Sequence, residues 1–194
     1  DILNHKNLRI KKGDWVGIIG PSGIGKSTVL ELLLRFYEAD GGRILVDGQS
    51  VKEINLYDLR RAISYVPQEP VLRQGTIRDN LLLAKPDATE EQLKNAAERT
   101  GILAQIEGGL DREVGERGMA LSGGERQRIA IARCLLDGRK LILLDEATSQ
   151  MDGSTQDAMA QVLSEEQKAR GATVLSVAHR LEFNRFADET IRIE

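Results

Sequence analysis

Four short apolar runs predict buried β-strands in this chain. Each run is nearly continuous rather than alternating, which is the pattern of strands covered on both faces of a parallel sheet. The runs are Trp15–Ile19, Ile63–Val66, Leu141–Leu144 and Val174–Ala178. A further run at Gly42–Val46 is followed by Asp47-Gly48, and it predicts a strand and a tight turn that begin a small antiparallel piece.

The segments between these strands predict helices, and capping residues mark their starts. Thr89 is followed three residues later by Gln92, and Ser122 by Glu125, which is the pattern of a capping box. Ser154 with Asp157 gives a weaker version. We expect a single domain over residues 1–194, with a core of about 1–75 and 137–194 and a helical subdomain of about 76–136 inserted between core strands.

Composition and charge fit an ordinary globular domain and narrow the partners. The 194 residues are 41% hydrophobic and 29% charged, and the net charge is −3, so nothing favours nucleic acid or an anionic membrane as a partner. No apolar run approaches the roughly 20 residues that cross a bilayer. Cys134 is the sole cysteine, which excludes an internal disulfide, and its apolar neighbours predict a buried side chain.

Candidate chemistry begins directly after the first predicted strand. Residues 20–28 match the P-loop pattern G-x-x-x-x-G-K-[ST], with an apolar helix to follow. The glycines let successive backbone N–H groups converge on phosphate, and the helix presents its positive end. We expect Lys26 to neutralise the β- and γ-phosphates and Ser27 to ligate Mg²⁺. The nucleotide-binding candidates are Gly20, Pro21, Ser22, Gly23, Ile24, Gly25, Lys26, Ser27 and Thr28.

An acidic pair ends the predicted strand Leu141–Leu144. Because side chains alternate along a strand, we expect Asp145 and Glu146 to point to opposite sides. One carboxylate then meets Mg²⁺ while the other polarises an attacking water, and we assign Asp145 to the metal and Glu146 to the water. An apolar strand ending in Asp-Glu is weak evidence alone and becomes strong beside a P-loop.

The segment Leu121–Arg128 reads Leu-Ser-Gly-Gly-Glu-Arg-Gln-Arg and resembles the signature loop of ATP-binding cassette (ABC) nucleotide-binding domains. It is also a capping box that opens a buried helix. The resemblance covers essentially the whole chain. It implies an α/β P-loop NTPase fold, with a RecA-like core, a mainly parallel sheet, an inserted helical subdomain and a small, truncated antiparallel β part. It also implies that Ser122, Gly123 and Gly124 bind the ATP of a partner domain.

Three further positions match motifs of that family. Gln68 matches the Q-loop glutamine, which the resemblance implies helps to hold Mg²⁺ and the water. His179 matches the switch histidine, which contacts the γ-phosphate. Asp152 keeps its place in the D-loop, and Gln150-Met151 stand where the family often has Ala-Leu.

Resemblance to exporters is stronger than resemblance to importers. Arg112–Gly118 resembles the X-loop of exporters, in which an acidic residue faces the transmembrane domain, and Gly75–Leu83 favours the same class. The implied cofactors are ATP and Mg²⁺, and the implied partners are a second nucleotide-binding domain, identical or different, and a transmembrane domain at the cytoplasmic face of a membrane. The transmembrane contact runs through the Gln68 and Glu116 loops. The implied catalytic residues are Glu146, His179, Gln68 and Lys26, and the implied metal ligands are Ser27, Gln68 and Asp145.

The chain looks short at both ends, and we expect it to belong to a longer polypeptide. The family stacks adenine on an aromatic residue upstream of the P-loop, but Trp15 lies within a predicted strand, so the expected aromatic precedes Asp1. Alternatives are a cassette ATPase of an importer, one of DNA repair or chromosome organisation, and a degenerate cassette that binds ATP without turnover. A single cysteine and the lack of sustained heptads disfavour the DNA-associated class, and the full set of motif residues disfavours degeneracy.

Overall fold

A computed structural model describes residues 7–178 and 183–193 of the chain. Within these residues there are seven strands: β1 (Trp15–Ile19), β2 (Leu45–Val46), β3 (Gln49–Ser50), β4 (Ile63–Val66), β5 (Leu141–Asp145), β6 (Thr173–Val177) and β7 (Glu189–Arg192). Five of them form one parallel sheet in the order β4-β5-β6-β1-β7, while β2 and β3 form an antiparallel pair. The predicted α/β class, with a mainly parallel sheet and a small antiparallel part, is confirmed.

Helices occupy both faces of the sheet and most of the segment between β4 and β5. In the same residues they are α1 (Lys26–Leu33), α2 (Leu56–Arg61), α3 (Ile77–Leu82), α4 (Glu90–Arg99), α5 (Ile102–Gln105), α6 (Gly123–Asp137) and α7 (Gly153–Arg170). Short 3₁₀ turns lie at Gly109–Asp111, Glu116–Gly118 and Phe183–Phe186. None of the helices in the described residues is long and apolar enough to cross a membrane.

The central strands are buried on both faces, as their continuous apolar sequence predicts. In β5, Ile142 and Leu144 pack with Trp15 in one apolar cluster, while Leu143 between them packs with Leu30 in another. This division follows from the two-residue period of a strand. All three β5 side chains are 0% exposed, so neither face of this strand is open to solvent.

A third apolar cluster fills the helical segment between β4 and β5. It runs from Leu72 to Leu136 and includes residues of α3, α4, α5 and α6. The two strongest predicted capping boxes, at Thr89 and Ser122, are present, and a third opens α3 at Thr76. The segment therefore has its own apolar interior, and α6 also packs against the sheet through Ile131.

Two local predictions differ from the structure. The strand predicted at Gly42–Val46 is only the two residues of β2 in the structure. These two residues pair with the two residues of β3 across the turn at Asp47-Gly48. The cap predicted at Ser154 lies one position inside α7. Asp152 is the N-cap instead, since its carboxylate accepts hydrogen bonds from the Thr155 backbone N–H at 3.0 Å and from the Ser154 hydroxyl at 2.6 Å.

Two buried side chains match their sequence interpretation. Trp15 is 0% exposed, and its indole Nε1 donates to Ser176 Oγ at 2.8 Å, so it belongs to the core of the sheet. Cys134 is buried in the cluster between α6 and the sheet, and burial raises the pKa of its thiol to about 12. A thiol held neutral in this way is a small hydrophobic group and not a nucleophile.

Candidate nucleotide site

The P-loop and the acidic pair meet at the carboxyl edge of the sheet. Val177 of β6 pairs with Ile18 of β1 on one side and with Asp145 of β5 on the other. The ends of these three strands are therefore level, and the loop after β1 faces the acidic end of β5 across β6. In open α/β sheets this edge is where ligands bind.

The loop from Gly20 to Gly25 joins β1 to α1 in a conformation that its glycines allow. Gly20 has φ 157°, and a Cβ there would lie 2.5 Å from the backbone oxygen of Ile193. Gly25 is the N-cap of α1 with φ 97° and has no side chain to bond the first amides of the helix. Those amide groups at the positive end of the helix are available to an anion.

Lys26 turns back over the loop that precedes it. Its Nζ donates to the backbone oxygens of Gly20 at 3.0 Å and Pro21 at 2.8 Å, and the side chain is only 5% exposed. A buried ammonium group needs such acceptors because it has lost its water. The same position above the loop lets phosphate oxygens replace the two carbonyls.

Ser27 connects the start of α1 to the end of β5. Its hydroxyl donates to Asp145 Oδ1 at 2.7 Å, and Asp145 is 6% exposed. Tyr65 of β4 contributes a longer hydrogen bond of 3.4 Å from its hydroxyl to Asp145 Oδ2. Burial, with the adjacent Asp145 carboxylate, raises the pKa of the Tyr65 hydroxyl above its usual value, so Tyr65 remains a neutral donor. The sequence carries no signal for this role of Tyr65.

Glu146 leaves the strand in a left-handed conformation. Its φ is 46°, which is uncommon for a residue with a side chain and is found most often at functional sites. Its Oε2 accepts a hydrogen bond of 2.7 Å from Gln68 Nε2. The two acidic side chains therefore have different partners, as expected. Strand alternation is not the cause, because β5 ends at Asp145 and the turn at Glu146 sets the direction of its side chain.

The signature segment lies against the D-loop segment, Ser149–Asp152. Ser122 caps α6, and its own backbone N–H donates to Glu125 Oε2 at 2.6 Å. A Cβ on Gly123 would overlap the side-chain amide of Gln150, and one on Gly124 would lie 3.1 Å from the Gln150 backbone oxygen. Among the described residues, no hydrogen bond joins Ser122, Gly123 or Gly124 to the P-loop.

A residue that the sequence interpretation did not single out joins these segments. Gln127, in the first turns of α6, is 0% exposed, and its Nε2 lies 3.1 Å from Gln68 O and 3.3 Å from Glu146 O. It also approaches Ser149 Oγ at 3.3 Å, and its Oε1 accepts from the Gln150 backbone N–H at 3.1 Å. The sequence does contain a signal for Gln127. It is a polar residue four positions before Ile131, on the buried face of the helix.

The X-loop segment packs beside the segment that follows Gln68. Glu116 is exposed in a 3₁₀ turn, and Gly118 is buried against Leu72 and the side chain of Arg126. The backbone of this segment pairs with the start of the helical segment, where Val114 N donates to Gly75 O at 2.9 Å. His179 and His5 lie outside the described residues.

Comparisons with known proteins agree with this fold and site. A family model described as ABC transporter matches residues 3–149, so the chain belongs to the ABC transporter family. An uncharacterized ABC transporter ATP-binding protein of Haemophilus influenzae is 47% identical over 93% of this chain and 30% of its own length. The mitochondrial iron-sulfur clusters transporter of Aspergillus fumigatus is 45% identical over 93% of this chain and 25% of its own length.

A solved structure shares the fold. It is described as a bacterial Atm1-family ABC exporter with ATP bound, and it matches 94% of this chain and 32% of its own length at 39% identity and a TM-score of 0.88. The chain thus spans about a quarter to a third of these relatives. The predicted family is confirmed.

Proposed function

We propose that this chain binds ATP with Mg²⁺ and hydrolyses it to power export through a membrane domain. The observation that carries the proposal is the hydrogen bond between Ser27 Oγ and Asp145 Oδ1, which brings the P-loop helix to the acidic end of β5. The bound ATP in the related exporter structure supports ATP as the nucleotide. The same structure is described as an exporter, which supports the direction of transport.

Phosphate recognition depends on the loop before α1. The backbone N–H groups at the start of α1 face the phosphates, and Lys26 exchanges the Gly20 and Pro21 carbonyls for β- and γ-phosphate oxygens. The whole segment Gly20–Thr28 supplies this cradle. Because most of its donors are backbone groups, the cradle requires no net positive charge on the domain.

Ser27 and Asp145, which contact each other, suit a magnesium ion together with Gln68, which we assign on its family motif. Mg²⁺ prefers hard oxygen ligands, and Ser27 offers a hydroxyl, Asp145 a carboxylate and Gln68 an amide oxygen. Because magnesium is usually held by one or two protein groups together with substrate phosphates, this small set is sufficient. When bound, the ion neutralises charge that develops on the phosphates during transfer.

Glu146 is the residue that we assign to the attacking water. Gln68 Nε2 donates to one of its carboxylate oxygens, which fixes the orientation of the group, and we assign the carboxylate to accept a proton from water. His179 is assigned to the γ-phosphate on its family motif, since it falls outside the described residues.

Two such domains act together in this proposal. Ser122, Gly123 and Gly124 contact the ATP of the partner domain, identical or different, so that each nucleotide is held between two domains. A transmembrane domain at the cytoplasmic face is contacted through the loops of Gln68 and Glu116. We also propose that the chain is a single domain with a helical subdomain at about 76–136. No nucleic acid takes part in the proposed function.

The proposal is tested by phosphate release in the complete protein that carries this chain. The wild type should release phosphate from ATP only with Mg²⁺. Glu146→Gln should bind ATP as before but release phosphate at least about 100-fold more slowly, which is the scale of a lost general base. Glu165→Gln, an exposed change on α7, is the matched control and should behave as wild type. Absence of wild-type hydrolysis would overturn the function, and full activity in Glu146→Gln would overturn the role of Glu146.

A further inference from the structure

Gln127 is a fully buried glutamine whose side-chain amide hydrogen-bonds to the loops of the site. The partners of the Gln127 amide are distant in sequence. The Gln68 loop lies 59 residues earlier, the end of β5 lies 19 residues later, and the D-loop segment lies 22 and 23 residues later. An apolar side chain of similar length would fill the same space. The amide therefore serves these polar groups and not the packing of α6.

The Nε2 group of Gln127 supports the turn that carries Glu146. The backbone oxygen of Glu146 already accepts from Ser149 N at 3.0 Å, and Gln127 approaches the same oxygen at 3.3 Å from the α6 side. The same Nε2 lies 3.1 Å from Gln68 O. Gln127 thus holds the backbones of the two residues whose side chains meet at Gln68 Nε2 and Glu146 Oε2.

The Oε1 group of Gln127 holds the D-loop segment against the signature turn. It accepts the backbone N–H of Gln150 at 3.1 Å, and the side chain of Gln150 covers Gly123. Gln127 is itself on α6, four residues after Gly123. One amide group therefore connects the surface that we assign to the partner's ATP with the residues that we assign to this domain's own hydrolysis.

We infer that Gln127 is a positioning residue that sets Gln68 and Glu146 in register with the signature turn, so that contact at Gly123–Gly124 determines the rate of hydrolysis at the domain's own P-loop. The inference rests on the proposed function. It assigns Gln127 no contact with nucleotide. Its loss should therefore lower the rate of the chemical step and leave nucleotide binding by Lys26 and Ser27 intact.

The test variant is Gln127→Met in the complete protein, with kinetics and amide hydrogen exchange as readouts. We expect kcat to fall roughly 10- to 100-fold, the cost of a small misplacement of catalytic groups. KM for ATP should stay within about threefold, because the lost interaction acts on the transition state and not on ATP binding. Exchange should accelerate at the Gln150 amide, which donates to Gln127, and at the Ser149 amide, which donates to the Glu146 oxygen that Gln127 supports.

A second variant separates the two halves of the amide. Gln127→Glu keeps an oxygen for the Gln150 N–H but has no N–H for Gln68 O and Glu146 O. Gln150 should stay protected in this variant while the Ser149 amide, which donates to Glu146 O, exchanges faster, and kcat should still fall. Slow exchange at Gln150 also shows that α6 and the D-loop segment remain folded, which distinguishes loss of position from loss of structure.

Two other buried glutamines are matched controls. Gln167 donates to Gly13 O at 2.5 Å at the far end of α7, and Gln167→Met should keep the wild-type kcat. Gln156 donates to Thr148 O and Met151 O, both at 3.0 Å, so it holds the D-loop segment. Within the described residues, neither of these hydrogen bonds involves α6 or the Gln68 loop. Gln156→Met should speed exchange near Thr148–Met151 and lower kcat less than Gln127→Met does.

The outcomes are distinct for the inference and for the proposed function. Wild-type kcat in Gln127→Met, or an equal loss of kcat in Gln156→Met or Gln167→Met, would overturn the positioning role. A wild type that does not hydrolyse ATP would overturn the proposed function instead. In that case the exchange measurements still decide the linkage, since unchanged protection at Ser149 and Gln150 in Gln127→Met would refute it.

Discussion

Replacing Asn80 with alanine should loosen the segment that connects the Gln68 loop to the helical segment. Asn80 is 0% exposed, and its side chain makes four hydrogen bonds. Oδ1 accepts from Arg73 N at 2.9 Å and from Arg133 Nη2 at 2.6 Å, while Nδ2 donates to Arg73 O at 2.8 Å and to Thr76 O at 2.9 Å. The amide thus closes the loop at residues 73–76 onto α6.

The magnitude follows from what alanine leaves behind. Each net hydrogen bond contributes about 0.5–1.5 kcal/mol, so four bonds give an upper range of about 2–6 kcal/mol. Arg73 is exposed, and water can replace the two bonds to its backbone, which leaves about 3 kcal/mol as the expected loss. Burial already lowers the pKa of Arg133 to about 10. In the variant, the Arg133 guanidinium keeps its hydrogen bonds to the backbone oxygens of residue 80 and Val71.

Amide hydrogen exchange in the complete protein measures this loss as a local opening free energy. A loss of about 3 kcal/mol corresponds to exchange roughly 100-fold faster at the amides of residues 73–80. Asn95→Ala, at an exposed position of α4, is the matched control and should change exchange by less than about threefold, since surface substitutions lie within about 0.5 kcal/mol. Unchanged exchange in Asn80→Ala would refute the reasoning that these bonds hold the loop.

Two further predictions concern titratable groups. Cys134 should resist alkylation at pH 8 in the native protein and react fully in denaturant, because its thiol is buried and has a pKa of about 12. Mass spectrometry counts the adducts, and rapid labelling of the native protein would contradict the burial of Cys134. Hydrogen bonds from Ser154 and Thr155 lower the pKa of Asp152 below its ordinary value of 3.8. The Asp152 carboxylate should therefore cap α7 above pH 3.8, and the cap should weaken as the pH falls below this value. The weakening is measured as faster exchange of the Thr155 amide, and Asp152→Asn should remove this pH dependence.

Local patterns predicted much of the sheet and of the phosphate site. The bounds of β1 and β4 match the apolar runs, because strands buried on both faces are apolar at most positions. The P-loop was equally readable, since its chemistry depends on contiguous residues in one turn. Lys26 and Ser27 consequently lie where a strand, a glycine-rich loop and a helix place them.

The contacts that orient the acidic pair could not be read in the same way. Tyr65 lies 80 residues before Asp145, and its role depends on β4 pairing with β5 in a register that sets Tyr65 opposite Leu143. The direction of Glu146 depends on a left-handed turn that no neighbouring glycine signals. Such features arise from tertiary packing, which propensity and periodicity do not encode.

The placement of α6 explains why one glutamine can reach so many loops. Ala130, Ile131 and Cys134 pack on one side against the sheet, while Ile129 and Ala132 pack on the other side in the helical segment. From Ile129 to Leu136 every residue of α6 except Arg133 is apolar, and this part of the helix lies between the two layers. Its first turns emerge where the Gln68 loop, the end of β5 and the D-loop segment converge. A displacement of the helical segment against the sheet must therefore move α6, and with it the hydrogen bonds from Gln127 to Gln68 and Glu146.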